Sequence, residues 1–154
     1  MPSKETVRKA IEQMKKRYAN YVYFFENITS PEWIEPLRRE GFFQRPPNPV
    51  REGDLIITRF WPDSQFLTRM AATNPQLVLE VILSMDKTDN EHVHEDFAKA
   101  AINMPPRAAA RLAREEARWI HRQAYLDFSL PKTLGQLIRH LARGGQIKAA
   151  LVLL

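Results

Sequence analysis

Asn74 to Met104, NPQLVLEVILSMDKTDNEHVHEDFAKAAINM, reads as two short antiparallel helices joined by a polar turn. Asn74 is a natural N-cap, and Pro75 takes the first helical position, where its missing N–H costs nothing. Leu77, Val78, Leu79, Val81, Ile82, Leu83 and Met85 then cover nearly the whole circumference, so this short helix must be buried on several sides. Asp86 to Asp89 make the turn and Asn90 caps the next helix, along which Val93, Phe97, Ala100, Ala101 and Met104 recur at helical spacing on one face. Residues 74–104 are a central αα-hairpin, and the rest of the chain is read outward from it.

Toward the N-terminus, residues 42–60, FFQRPPNPVREGDLIITRF, interrupt the helices. Pro46, Pro47 and Pro49 exclude helix, and Leu55 to Ile57 is at most a short extended segment. So long a connection is either functional or a strap across the helices. Phe42, Phe43, Ile56 and Phe60 favour the strap, because they look meant for burial. Ser30 and Pro31 start a helix that Gly41 ends, with Trp33 and Leu37 as its buried pair. Residues 1–29 hold a first helix capped by Ser3 and running to about Asn27. Its seam of Val7, Ile11, Met14, Tyr18, Tyr21, Phe25 and Ile28 suits a helix within the chain or a coiled-coil dimer. The Tyr and Phe knobs favour the first. Lys9, Lys15, Lys16 and Arg17 belong to its solvated side.

Before the hairpin, a helix from about Pro62 turns Phe66, Leu67 and Met70 inward. After it, Pro105-Pro106 starts a helix to about Ala124 with an inner face of Ala109, Leu112, Ala113, Ala117, Ile120 and Ala124, and with Trp119 on the flank. Leu130-Pro131 opens another, carrying Leu134, Leu137, Ile138 and Leu141 and stopped by Gly144-Gly145. Gln146 to Leu154 begins one more. Five helices therefore start at or beside a proline: Pro31, Pro62, Pro75, Pro106 and Pro131. The expectation is one all-α domain over 1–154, of seven or so helices, stacked as an irregular right-handed α-solenoid of short hairpins with a proline-rich strap. The apolar Leu151 to Leu154 leaves an edge that a further repeat would cover, so the chain is read as the N-terminal part of a longer solenoid. Alternatively the last helix tucks fully into the domain.

A hydrophobic content of 44% builds a core without metals or disulfides. The lack of cysteine excludes thiolate zinc sites and cysteine nucleophiles. There is no signal-like N-terminus or membrane-length apolar run, so the expected location is the cytoplasm, without a membrane partner. The net charge of +5 allows an anionic partner.

The chain resembles the HEAT/armadillo-like class of α-helical repeat proteins. Over Ser30 to Pro106, the runs SPEWIEPLRREGFF, RFWPDSQFLTRMA and PQLVLEVILSMDKTDNEHVHEDFAKAAINMPP are similar to the N-terminal region of large bacterial proteins associated with phage-defence loci. That resemblance implies a scaffold or sensor part and brings no catalytic motif. The long 42–60 connection and the uneven repeat spacing depart from ordinary HEAT repeats.

Of the groups that could carry chemistry, the sharpest is Arg107, Arg111, Arg114, Arg118 and Arg122, spaced 4, 3, 4 and 4. They fall within a sector of roughly 80°, opposite the alanines, and make one basic stripe. Guanidinium groups in such a row fit successive phosphates or an acidic protein surface. Alternatively they form a solvated face on which Glu115 pairs with Arg111 and Arg118. His92 and Asp96, four apart, invite a metal reading, but two ligands are too few. The acids there are better read as complementing the dipole at a helix N-terminus, with the histidines on its flank. The turn from Asp86 to Asn90 lacks the glycine and the glutamate of a calcium loop. Glu116 faces inward and, if buried, needs a partner such as an arginine or a backbone N–H. No nucleophile elbow, phosphate loop or triad signature is present, and no cofactor is expected. The functional expectation is a non-enzymatic protein-recognition or scaffold module, using a helical face for a protein partner or for downstream parts of its own chain. Nucleic-acid binding through the stripe, joined by Arg45, Arg51 and Arg59, is the alternative. Oligomers through the first or last helix are a further expectation.

Overall fold

Helix starts follow the capping chemistry. The Ser3 hydroxyl accepts from the Thr6 amide at 3.1 Å, Asn74 Oδ1 from Leu77 at 3.4 Å and Asn90 Oδ1 from His92 at 3.0 Å. Prolines stand in the first turn wherever the sequence predicted. The computed structural model describes residues 1–154. It is mostly helical: α1 (Lys4–Lys16), α2 (Tyr18–Asn27), a 3₁₀ turn (Pro31–Trp33) leading into α3 (Ile34–Arg39), then α4 (Pro62–Met70), α5 (Pro75–Leu83), α6 (Glu91–Ile102), α7 (Pro106–Ile120), α8 (Leu130–Arg143) and α9 (Ile147–Val152). One small sheet pairs β1 (Val50–Glu52) with β2 (Leu55–Ile57). No helix is long and apolar enough to cross a membrane.

Three expectations need correction. The first helix is two, because Arg17 adopts an extended conformation, φ −149° and ψ 141°, and separates α1 from α2. Asn20 Nδ2 donates to the freed Gln13 carbonyl at 2.8 Å, offsetting part of the broken ladder. Tyr18 is exposed as a result, while Val7, Ile11, Met14 and Phe25 remain buried. The strap holds an antiparallel hairpin, Val50 opposite Ile57, in place of a single extended segment. Of its apolar residues Phe43 and Pro46 are buried and Phe42 and Ile57 half-buried, whereas Ile56 and Phe60 face solvent. Helix α7 ends at Ile120, and Ala124 is exposed.

Packing centres on α6, which lies against α4, α7 and α8; α7 in turn lies against α5 and α9. Side-chain bonds fix the directions. Ser64 reaches Asp96, and Asn103 Nδ2 donates to the Thr68 carbonyl at 3.2 Å, so α4 runs parallel to α6. Glu95 accepts from Ser129 and Thr133, and His140 meets the Met104 carbonyl at 2.8 Å, so α8 is parallel to α6 as well. A Cβ on Gly144 would sit 2.2 Å from the Pro106 ring, and His121 Nε2 lies 2.5 Å from the Val152 carbonyl. Helix α9 therefore runs alongside α7 in the same direction, and the glycine permits the close approach. At the other end Phe25, Phe43 and Phe66 form an aromatic cluster, with Phe43 and Phe66 stacked at 6.0 Å.

Asn90 ties the strap to this frame. Fully buried, it caps α6 with Oδ1, while Nδ2 donates to the Pro47 carbonyl at 3.0 Å and the Arg59 carbonyl at 2.8 Å. Every hydrogen of the amide is used, one at each end of the strap. Thr88 adds bonds to the Pro47 carbonyl and to Asn48, and the Asp86 amide donates to the Gln44 carbonyl at 2.9 Å. Asn90→Asp keeps the cap and loses both donors, leaving buried carbonyls facing a carboxylate. It should lower unfolding stability by about 2–4 kcal/mol in urea titrations, whereas Asn48→Ala, nearer the surface, should cost about 1 kcal/mol.

Two buried carboxyls set a pH dependence. Burial raises the Asp63 carboxyl to about 6 despite bonds from the Tyr21 hydroxyl and the Phe43 amide, and burial also raises Asp96 to about 6 despite its bond to Ser64. The Ser64 hydroxyl lies 2.6 Å from Asp96 Oδ2 and 3.0 Å from the Trp61 carbonyl, and its single hydrogen serves only one. A protonated Asp96 resolves this by donating to Ser64. A folded value above the unfolded 3.8 gives stability that is complete below that value and lost as pH rises through about 6. The protein should therefore be more stable at about pH 5 than at about pH 8, and Asp96→Asn should gain roughly 1–3 kcal/mol at the higher pH and flatten the profile, as read by thermal unfolding.

Candidate functional site

Helix α7 buries Ala109, Ala110, Leu112, Ala113, Ala117 and Trp119 and turns its opposite side to water. Arg107, Arg111, Arg114 and Arg118 are all exposed there, and Arg122 extends the row from the turn that follows. Glu115 pairs with Arg118 at 3.2 Å but not with Arg111. No ion pair in the chain involves Arg107, Arg111, Arg114 or Arg122. Four free guanidinium groups thus lie along about 22 Å of one helix and its following turn.

This row belongs to a larger asymmetry. From Arg107 onward the chain carries nine Lys and Arg against three Asp and Glu, while residues 1–106 nearly balance at fourteen against fifteen. After Asp127 there is no acidic side chain at all. Helix α9, beside α7, exposes Ile147, Leu151, Val152 and Leu154 next to this charge. The surface formed by α7, α8 and α9 is accordingly basic with an apolar margin.

Beneath the row lies a cleft of about 150 Å³ whose lining includes Lys87, His94, Glu116, Arg118, Trp119 and Arg122. His94, expected on a flank, is instead buried from α6, and it is the partner Glu116 needs: Nδ1 lies 2.7 Å from the Glu116 carboxylate. Nε2 lies 2.7 Å from the Thr88 carbonyl, so both ring nitrogens face acceptors and the geometry calls for an imidazolium. Burial alone would depress His94, but the charge and hydrogen bond of Glu116 outweigh it and hold the ring above its ordinary value. Trp119 stacks on the ring at 3.7 Å and 11°, and its indole N–H donates to Asp89 at 3.0 Å. With both nitrogens engaged, His94 has none to offer a substrate. The group locks the 84–90 turn, which joins α5 to α6, against side chains of α6 and α7.

Protonated histidine stacked on indole quenches its emission. Tryptophan fluorescence should therefore rise as pH climbs through the raised His94 value, and the transition should vanish in both His94→Gln and Trp119→Phe. Because the folded value is raised, the stability contributed by this pair is complete below the ordinary histidine range and lost as pH rises through the folded value.

His92 and Asp96, the candidate metal pair, point to different neighbours. His92 stacks between Phe60 at 4.1 Å and Phe128 at 4.4 Å, and burial lowers its pKa; Asp96 faces Ser64. No three His, Cys, Asp or Glu side chains converge as a metal site would require. Among the strap arginines, Arg45 lines a surface pocket with Arg38, Ser84 and Asp86, Arg51 lies on β1, and Arg59 meets Asn90 through its carbonyl. The strap approaches the row at Asn48 and Pro49, which share a polar basin with Lys87 and Arg122. Sequence reading missed the His94 and Trp119 lock, since its partners are far apart in the chain. It also passed over the basic last third of the chain, which a running charge count would have found. No protein family, curated protein or solved structure matches this chain.

Proposed function

We propose that this chain is a non-enzymatic recognition module that engages an acidic protein surface through the arginine face of α7. The observation that carries the reading is that four of the five exposed guanidinium groups in the row, those of Arg107, Arg111, Arg114 and Arg122, have no carboxylate partner. A solvated face would be expected to interleave acids at helical spacing, and here only Glu115 does so. The scaffold is read as a short HEAT-like stack of hairpins. In support, α4, α6 and α8 pack side by side and parallel, while α5, α7 and α9 pack as a second row. The resemblance over Ser30 to Pro106 supports a setting in a larger bacterial protein, in phage defence.

Nucleic-acid binding is the second reading, favoured by a row long enough to meet several phosphates. Fluorescence anisotropy separates the two. Labelled polyglutamate should bind the wild-type protein and weaken roughly tenfold or more with Arg111→Glu, Arg118→Glu. Labelled RNA and single- and double-stranded DNA should bind less tightly than polyglutamate at physiological salt. Nucleic-acid binding that is tighter, steeply salt-dependent and lost in the double variant would replace the protein reading. No binding of either polymer at low salt would return the row to a solvated face.

A further inference from the structure

Helix α9 buries Ala149, Ala150 and Leu153 against its neighbours and leaves Ile147, Leu151 and Leu154 at 52, 59 and 78% exposure. Ile147 and Leu151, spaced i and i+4, share one face of α9 with Lys148 beside them, and exposed Leu154 follows just past the helix end, so the three make one aliphatic patch. The arginine row runs along the same helix pair. Arg107 follows the proline that touches Gly144 ahead of α9, and Arg122 follows the histidine bonded to Val152 at its end. Arg139 and Arg143 add exposed charge on α8. An apolar patch flanked by cations, in a region with no acid after Asp127, is complementary to a helix with an apolar stripe flanked by carboxylates.

We propose that the occupant is an acidic amphipathic helix of a protein partner, laid along α9 with its apolar residues on Ile147, Leu151 and Leu154 and its carboxylates on the α7 arginines and Lys148. This rests on the recognition reading above and names the partner's chemistry. Phosphates alone would make no use of the patch. A bilayer would want a longer apolar face than this six-residue helix offers and aromatic anchors that α9 lacks. A helix lying beside α9 would repeat the side-by-side packing by which α5 and α9 themselves flank α7.

Two synthetic peptides of one composition test it: one placing leucine every third or fourth residue with glutamate on both flanks, the other shuffled so that no face forms. The ordered peptide should bind at least roughly tenfold tighter, and Ile147→Asp, Leu151→Asp should remove that advantage while circular dichroism and thermal unfolding stay as in wild type. Arg111→Glu, Arg114→Glu should weaken both peptides. Equal binding of the two peptides, with loss in the arginine variant, would overturn the α9 docking site and leave the recognition reading standing. Failure of both peptides to bind at low salt would overturn the two together. Phosphatidylserine vesicles offered in parallel should not retain the protein; retention abolished by Ile147→Asp, Leu151→Asp would assign the patch to a membrane surface instead.

Discussion

The side chain of Asn90 is the constraint on which the architecture depends. Its oxygen completes the first turn of α6, and its two amide hydrogens hold the chain just after Pro47 and again at Arg59. Without that tie the connection between α3 and α4 would be a long excursion with little apolar burial beyond Phe42, Phe43, Pro46 and Ile57 to order it. With it, the excursion becomes a strap closed on the N-terminus of the central helix. The exposed β-hairpin is a small ornament on a loop whose ends are already fixed.

From α6 the molecule extends in two rows. Polar bonds between parallel helices, Ser64 to Asp96 on one side and Ser129 and Thr133 to Glu95 on the other, set the register along one row. Small residues set the spacing in the other, where the alanines of α7 and the bare Gly144 let helices approach closely. The His94 and Glu116 pair joins the rows within one hairpin and is screened by Trp119. Buried ionic groups of this kind contribute little net stability, but losing one partner is costly, so they specify which helix faces which.

Local chemistry made much of this legible. The α5 and α6 hairpin follows from two asparagine caps and a proline, and most other helix starts from a cap or a proline, whereas α2 and α9 begin with neither. The break at Arg17 was illegible because alternating steps of four and three satisfy one long helix as readily as two that share a seam, and neither Arg17 nor Tyr18 signals a stop. The strap's burial was half legible: Phe43 follows Gly41 directly inward, with φ of 65° and 92° respectively, while Ile56 and Phe60 have no core above them. The arginine row could be read because a single helix supplies it. His94 could not, since its environment is assembled from Thr88, Glu116 and Trp119 and a pattern reading counts histidine as polar.

The uneven charge has an effect that no single contact conveys. With all of the net positive charge gathered on residues 107–154 and a near-neutral remainder, the molecule carries a permanent electric dipole directed toward that end. An anionic body within a Debye length, roughly 8 Å at physiological ionic strength, would exert a torque as well as an attraction. The protein would turn its arginine end forward before touching, so orientation, usually the slow part of a docking encounter, would be partly settled during approach.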